Sequence, residues 1–134
     1  MALFEWDDRI KTHIDKIDEQ HKKLITYIND LHESMRTGKS KEVVEGILSG
    51  LYEYTKYHFT FEEELMEKYQ YEKLEEQKKS HVIYVQKIGE LMEKYKISTI
   101  GISVEVLNFL MDWIKNHIMQ DDMQYVPLLK EKTI

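Results

Sequence analysis

The chain has 134 residues, 42% of them hydrophobic, and 19 basic against 25 acidic side chains give a net charge of −6. At about 100–200 residues per domain, this predicts one domain spanning residues 1–134, with enough apolar content for a core, and excludes a multidomain enzyme and wholesale disorder. The acidic balance disfavours nucleic acid as a partner, and the absence of cysteine excludes disulfide scaffolds and thiolate metal sites.

Cysteine-free composition suits a reducing cytoplasm, the expected location. The N-terminus, MALFEWDDRIK, brings in charge by residue 5, so no signal peptide is expected. No apolar run approaches the roughly 20 residues that span a bilayer, so no membrane insertion is expected.

Only five glycines and one proline punctuate the chain, which favours long helices. Residues 1–17 lack a helical period and are predicted to form an arm that packs Phe4 and Trp6 on the body. The first helix is predicted from about Asp18, its N-cap, to Met35, where Thr37-Gly38-Lys39-Ser40 breaks it. Ser40 is the predicted N-cap of a second helix that runs to about Tyr69. A third runs from about Glu72 to Lys94, and Ser98-Thr99-Ile100-Gly101 separates it from a fourth, near Ser103 to near Met119. The tail after Asp122 ends in Pro127-Leu128-Leu129 and is expected to dock locally. Short connections between long amphipathic helices predict an all-α, up-down-up-down antiparallel four-helix bundle with an N-terminal arm and a short C-terminal tail.

One stripe on each helix reads as core-facing. These are His21, Leu24, Ile28, Leu31 and Met35; then Ile47, Leu51, Tyr54, His58, Phe61, Glu62 and Leu65. Leu74, Gln77, His81, Tyr84, Ile88 and Leu91 follow, then Val106, Leu110, Trp113, Ile114 and His117. Each stripe carries a polar residue where packing alone wants an apolar one, and a polar side chain in a core is costly unless it finds partners. The misplaced set is His21, His58, Glu62, Gln77, His81 and His117, joined by Asp122 just past the fourth helix. His58 and Glu62 are an i,i+4 pair, roughly 6 Å apart on one face, and Gln77 and His81 share that spacing. A single core histidine is more often a packing residue than a ligand. Four histidines and two carboxylates distributed over four apolar stripes describe a dinuclear metal site, with imidazole and carboxylate donors suited to paired redox metals. Two carboxylates and a hydroxide nearly balance two divalent ions, so the charge can be buried.

The motifs I-D-E-Q-H-K-K-L (17–24), Y-H-F-T-F-E-E-E-L-M (57–66), Q-K-K-S-H (77–81) and W-I-K-N-H-I-M-Q-D-D-M-Q-Y (113–125) resemble those of the hemerythrins, specifically the bacteriohemerythrins. The resemblance covers almost the whole chain, from Trp6 to Tyr125. It implies a non-haem di-iron centre, bridged by carboxylates and an oxo or hydroxo group, that binds dioxygen reversibly for carriage, storage or delivery. By that resemblance His21 and His58 match the histidines of the iron that binds dioxygen, Glu62 and Asp122 the bridging carboxylates, and His81 and His117 two of three histidines on the other iron. The family's third histidine corresponds to position 77, where this chain has Gln77.

The Gln77 amide oxygen is neutral like imidazole but a weaker, harder donor. It could bind through oxygen, leave a water or an open position, or cost the site that iron, leaving one. These alternatives stay open from sequence, as does an oxidase or peroxidase activity enabled by Gln77. So does a mononuclear iron site using His21, His58 and Glu62. The resemblance also makes Ile114 the candidate apolar wall beside dioxygen, among Trp113 and Phe61. His32 lies roughly 16 Å along the helix from His21, too far to share metals, and His13 reads as a surface residue of the arm, with a replacement-ligand or entrance role as alternatives. Glu63, Lys78 and Lys79 read as solvated. Any electron-transfer or oxygen-accepting partner is left unidentified.

Overall fold

The computed structural model describes residue 6 and residues 11–97, 102–118 and 122–129. Four long helices dominate: α1 (Asp15–Arg36), α2 (Lys41–Lys68), α3 (Leu74–Ile97) and α4 (Ile102–Asn116). A 3-10 turn, Asp122–Gln124, and a short α5, Val126–Leu129, complete the chain. α1 packs on α2, α2 on α3 and α3 on α4, and α4 returns to α1. The helices thus close the expected up-down-up-down bundle. No helix among the described residues is long and apolar enough to cross a membrane. The expected break at 98–101 and the position of Phe4 lie outside the described residues.

The helix ends show how local chemistry sets the frame. Ser40 caps α2 as expected, its side chain accepting from the Val43 N–H at 3.3 Å. Gly38, at φ 72°, ends α1 in a left-handed turn. There Lys39 N–H donates to Ser34 O (2.9 Å) and Gly38 N–H to Met35 O (3.3 Å), the paired bonds of a Schellman cap. Gln70 plays the same part after α2 at φ 56°, with Tyr71 N–H donating to Met66 O and Gln70 N–H to Glu67 O. α3 therefore starts at Leu74, two residues later than Glu72, and α4 widens into a π-type turn at His117 and Ile118.

Asp18 is not the N-cap of α1. The helix starts at Asp15 after Ile14, whose side chain caps nothing. Asp18 is buried one turn inside. Its carboxylate accepts from the Thr12 N–H (2.8 Å), the Thr12 hydroxyl (2.8 Å) and the His13 N–H (3.1 Å). His13, at φ 66°, reverses the chain to make this possible. A carboxylate gains from the helix dipole throughout the first turn, so the donors of the arm decided where it sits. Trp6 is half-buried against the core, with the Lys22 ammonium 5.1 Å from its ring centroid.

Two apolar clusters form. The larger includes Leu24, Ile28, Leu51, Ile88, Leu110, Trp113 and Ile114; the smaller holds Ile14, Ile17, Met66, Tyr125 and Leu129. Leu129 docks the tail there, as expected. The polar residues lie between the clusters: His21 between Ile17 and Leu24, Glu62 between Phe59 and Met66. The buried face of α2 is Val44, Leu48, Leu51, Thr55, His58, Phe59, Glu62 and Met66. Ile47, Tyr54, Phe61 and Leu65, expected on that face, are only half-buried. α2 packs against both α1 and α3, so its buried face is centred one position away from the stripe read from spacing.

Replacing Asp18 by Ala is expected to cost about 2–3 kcal/mol of unfolding free energy, because two backbone N–H groups and a hydroxyl lose a charged acceptor. Urea unfolding of Asp18→Ala checks this, and an unchanged midpoint would contradict it.

Candidate metal centre

Each helix and the turn after α4 contributes to one polar focus. His21 comes from α1, His58 and Glu62 from α2, His81 from α3, His117 from the π-type turn after α4 and Asp122 from the 3-10 turn, while Gln77 is buried on the same face of α3 as His81. Relative exposure is 0% for His21, His58, His117 and Asp122, 1% for Glu62, 2% for His81 and 5% for Gln77. The donor atoms of His21, His58, Glu62, His117 and Asp122 all lie within 4.8 Å of one another, a grouping able to hold a metal ion. Asp122 Oδ2 sits 2.7 Å from His21 Nε2 and 3.0 Å from His117 Nε2. Glu62 Oε1 sits 3.0 Å from His58 Nε2, 3.1 Å from His117 Nε2 and 3.7 Å from His81 Nε2.

The donor set fits a metal. Glu62 Oε1 is ringed by imidazole nitrogens yet makes no well-aligned hydrogen bond; His81 Nε2 and Asp122 Oδ1 are likewise buried and unbonded. Two imidazoles present Nε2 to each other, His58 and His117, at 3.1 Å. Buried polar groups are ordinarily hydrogen-bonded, so lone pairs converging on one point call for a cation.

Outer groups aim these donors. His58 Nδ1–H donates to Gln20 Oε1 and His81 Nδ1–H to Glu63 Oε2, each at 2.7 Å, which leaves both Nε2 atoms bare for a metal. Tyr125 O–H donates to Glu62 Oε2 at 2.6 Å, occupying one carboxylate oxygen and leaving the other facing the cluster. Phe59 stacks on His81 (3.8 Å, 2°), and Trp113 on His117 (5.8 Å, 14°).

The expectation that Glu63 is merely solvated is therefore corrected. It sits beside Glu62 on α2 and points to α3, a contact that only helix packing defines. Phe61 packs with the smaller cluster, and Phe59 takes the place by the imidazoles expected of it. Gln20 and Tyr125 carried a sequence signal only as neighbours of His21 and Asp122. His13 is exposed and outside the focus, and His32 is half-buried away from it.

Burial dominates the electrostatics. It lowers His21 to about 3 and also lowers His58, partly offset by Glu62. His81 is lowered by the same cause. Burial would also lower His117, but Asp122 and Glu62 outweigh it and hold that imidazole well above its ordinary value. Burial, then Glu62, pushes Asp122 up to about 8. Glu62 stays well below its ordinary value because His58 and His117 overcome the cost of burying it.

Residues 12–129 match the family model of the hemerythrin HHE cation binding domain. The chain belongs to the hemerythrin family. It is 34% identical over 130 residues to a bacteriohemerythrin of Stenotrophomonas maltophilia, covering 97% of this chain and 84% of that one. A myohemerythrin of Theromyzon tessulatum is 30% identical over 122 residues, covering 91% and 90% of the two chains. A crystal structure of a hemerythrin mutant superposes with a TM-score of 0.87 at 30% identity, covering 97% of this chain and 99% of that one. Family membership and the His/Glu/Asp cluster together imply a non-haem iron protein.

In the metal-free hemerythrin fold, His21 is held near 3 while its unfolded value is 6.5. The unfolded chain takes up the proton first, so this group's contribution to stability is complete above about pH 6.5 and falls as pH drops toward about pH 3. Proton NMR of the His21 imidazole in folded, chelator-treated protein is expected to show it neutral down to about pH 3; protonation near its unfolded value of 6.5 would contradict the buried neutral imidazole.

Proposed function

We propose that this chain is a non-haem di-iron protein that binds dioxygen reversibly, as a carrier, store or delivery module. The observation that carries the reading is the position of the two carboxylates. Asp122 Oδ2 lies between His21 and His117, and Glu62 Oε1 lies between His58 and the pair His81 and His117. Each carboxylate thus touches both histidine sets, as groups bridging two metals must. In this reading His21 and His58 would hold one iron and His81 and His117 the other, with Glu62 and Asp122 shared between them and Gln77 on the same helix face as His81. Iron bound there supplies reversible electron exchange with dioxygen.

The protein's own side chains do the rest. Gln20 and Glu63 each accept the Nδ1 proton of a histidine, fixing its tautomer and ring orientation. The Tyr125 hydroxyl donates to Glu62 Oε2; burial, then Asp122 and Glu62, raises its phenol well above the ordinary value. Ile114, with 0% exposure, and Trp113, with 1%, belong to the large apolar cluster one turn before His117. They would exclude water on that side, and Ile114 is the proposed wall of the dioxygen pocket. An apolar wall there would keep water away from the ligand side of the centre.

Gln77 favours one refinement. A weaker donor on the second iron makes that position labile, so the protein is expected to oxidise faster than a variant with imidazole there. Loading with iron(II) without air, followed by metal analysis and visible spectra before and after oxygen, is expected to show two irons per chain and a band that reverses on removing oxygen. One iron, or an irreversible change, would overturn the di-iron carrier in favour of mononuclear or oxidase chemistry. Gln77→His is expected to slow the spontaneous oxidation about tenfold, the effect of roughly 1.4 kcal/mol on the barrier; equal rates would refute the refinement.

A further inference from the structure

The donor focus is sealed on most sides. Its residues are 0–2% exposed, and the apolar side is closed by Trp113, Ile114 and Ile118, none above 1%. Gln77, 5% exposed on the buried face of α3, also lines a surface cleft. A polar cleft of about 110 Å³ is floored by Gln77 and walled by Lys73, Glu76, Ser80 and Gln124. At about 30 Å³ per water molecule, it has room for some three waters. Gln77 is one helical turn before His81 on the same buried face of α3, so the floor of the cleft adjoins the metal focus.

The far lip is no remote surface. Gln124 closes the same 3-10 turn that starts at Asp122, and Lys73 Nζ–H donates to Gln124 Oε1 at 3.3 Å across the mouth. This bond is exposed, so it opens at little cost. One basic and one acidic side chain flank the opening, which makes it selective for polarity and small size rather than for one sign of charge.

From this arrangement we infer that the Gln77 cleft is a hydrophilic entrance to the metal centre, distinct from the apolar Ile114 side, and admits polar molecules of two or three heavy atoms such as hydrogen peroxide or azide. Dioxygen, being apolar, gains nothing from this route and partitions to the Ile114 side. The inference rests on the di-iron reading above. It adds a second door, used by a different chemical class of ligand. A shape of this size excludes organic substrates and leaves the centre open to water-like ones.

The test measures azide association with the oxidised iron-loaded protein by stopped flow, with dioxygen association to the reduced protein and iron per chain followed in parallel. Ser80→Leu and Gln124→Trp fill the cleft from opposite walls; Lys73→Ala removes the bond across its mouth. The two filled variants are expected to bind azide at least about tenfold more slowly, with Lys73→Ala about twofold faster and dioxygen rates unchanged. Unchanged azide rates in the filled variants, with two irons and reversible oxygen binding intact, would overturn the entrance and leave the di-iron reading standing. An equal slowing of azide and dioxygen would also overturn it, because both would then share one path. Failure of the unaltered protein to hold two irons would sink the di-iron reading and the entrance together. If neither filled variant keeps its helical content, the exposed Lys73→Ala change decides, and an unchanged azide rate there overturns the proposal.

Discussion

Four imidazoles and two carboxylates in the dry centre of a helix bundle are the constraint to which the rest of the structure responds. Each would lose several kcal/mol of hydration on burial without a compensating partner. Part of that cost is met within the protein. Tyr125 bonds Glu62, Glu63 bonds His81 and Gln20 bonds His58. What remains uncompensated is concentrated on atoms that face one another, notably Glu62 Oε1 and His81 Nε2. A cation would satisfy all of them at once, and its binding would then couple to folding.

The bundle supplies the rigidity this requires. Apolar clusters on either side hold the helices at fixed separation, so the donors cannot relax toward water. Local devices set the register. The caps at Ser40, Gly38 and Gln70 determine where α1 and α2 end and where their neighbours begin. The Asp18 carboxylate ties the arm to the first turn of α1, next to the helical turn that bears His21. The π-type turn at His117 lies where the fourth helix must yield to bring Asp122 back over the core, and such turns recur at functional sites.

Gln77 links composition to reactivity. It keeps the neutral charge of an imidazole at that place and is buried on the face of α3 that carries His81. The buried residues around the centre differ in polarity, Ile114 and Trp113 being apolar and Gln77 polar.

The periodicity of apolar residues determined the four helices, their order and the presence of His21, His58, Glu62, His81 and His117 on inward faces, because burial acts on every third or fourth residue and leaves its mark in the chain itself. The motifs were enough to indicate the family. Tertiary structure alone decided which groups aim the donors. Glu63 and Gln20 look like surface residues in the chain because their partners lie 18 and 38 positions away, across a helix interface with no sequence period. The same applies to Asp18, whose role was set by donors folding back from the arm, and to Phe59, which displaced Phe61 because α2 is packed from two sides. Local spacing encodes a face. The angle at which that face meets its neighbours comes from side-chain packing between helices, and so does the identity of each buried polar partner.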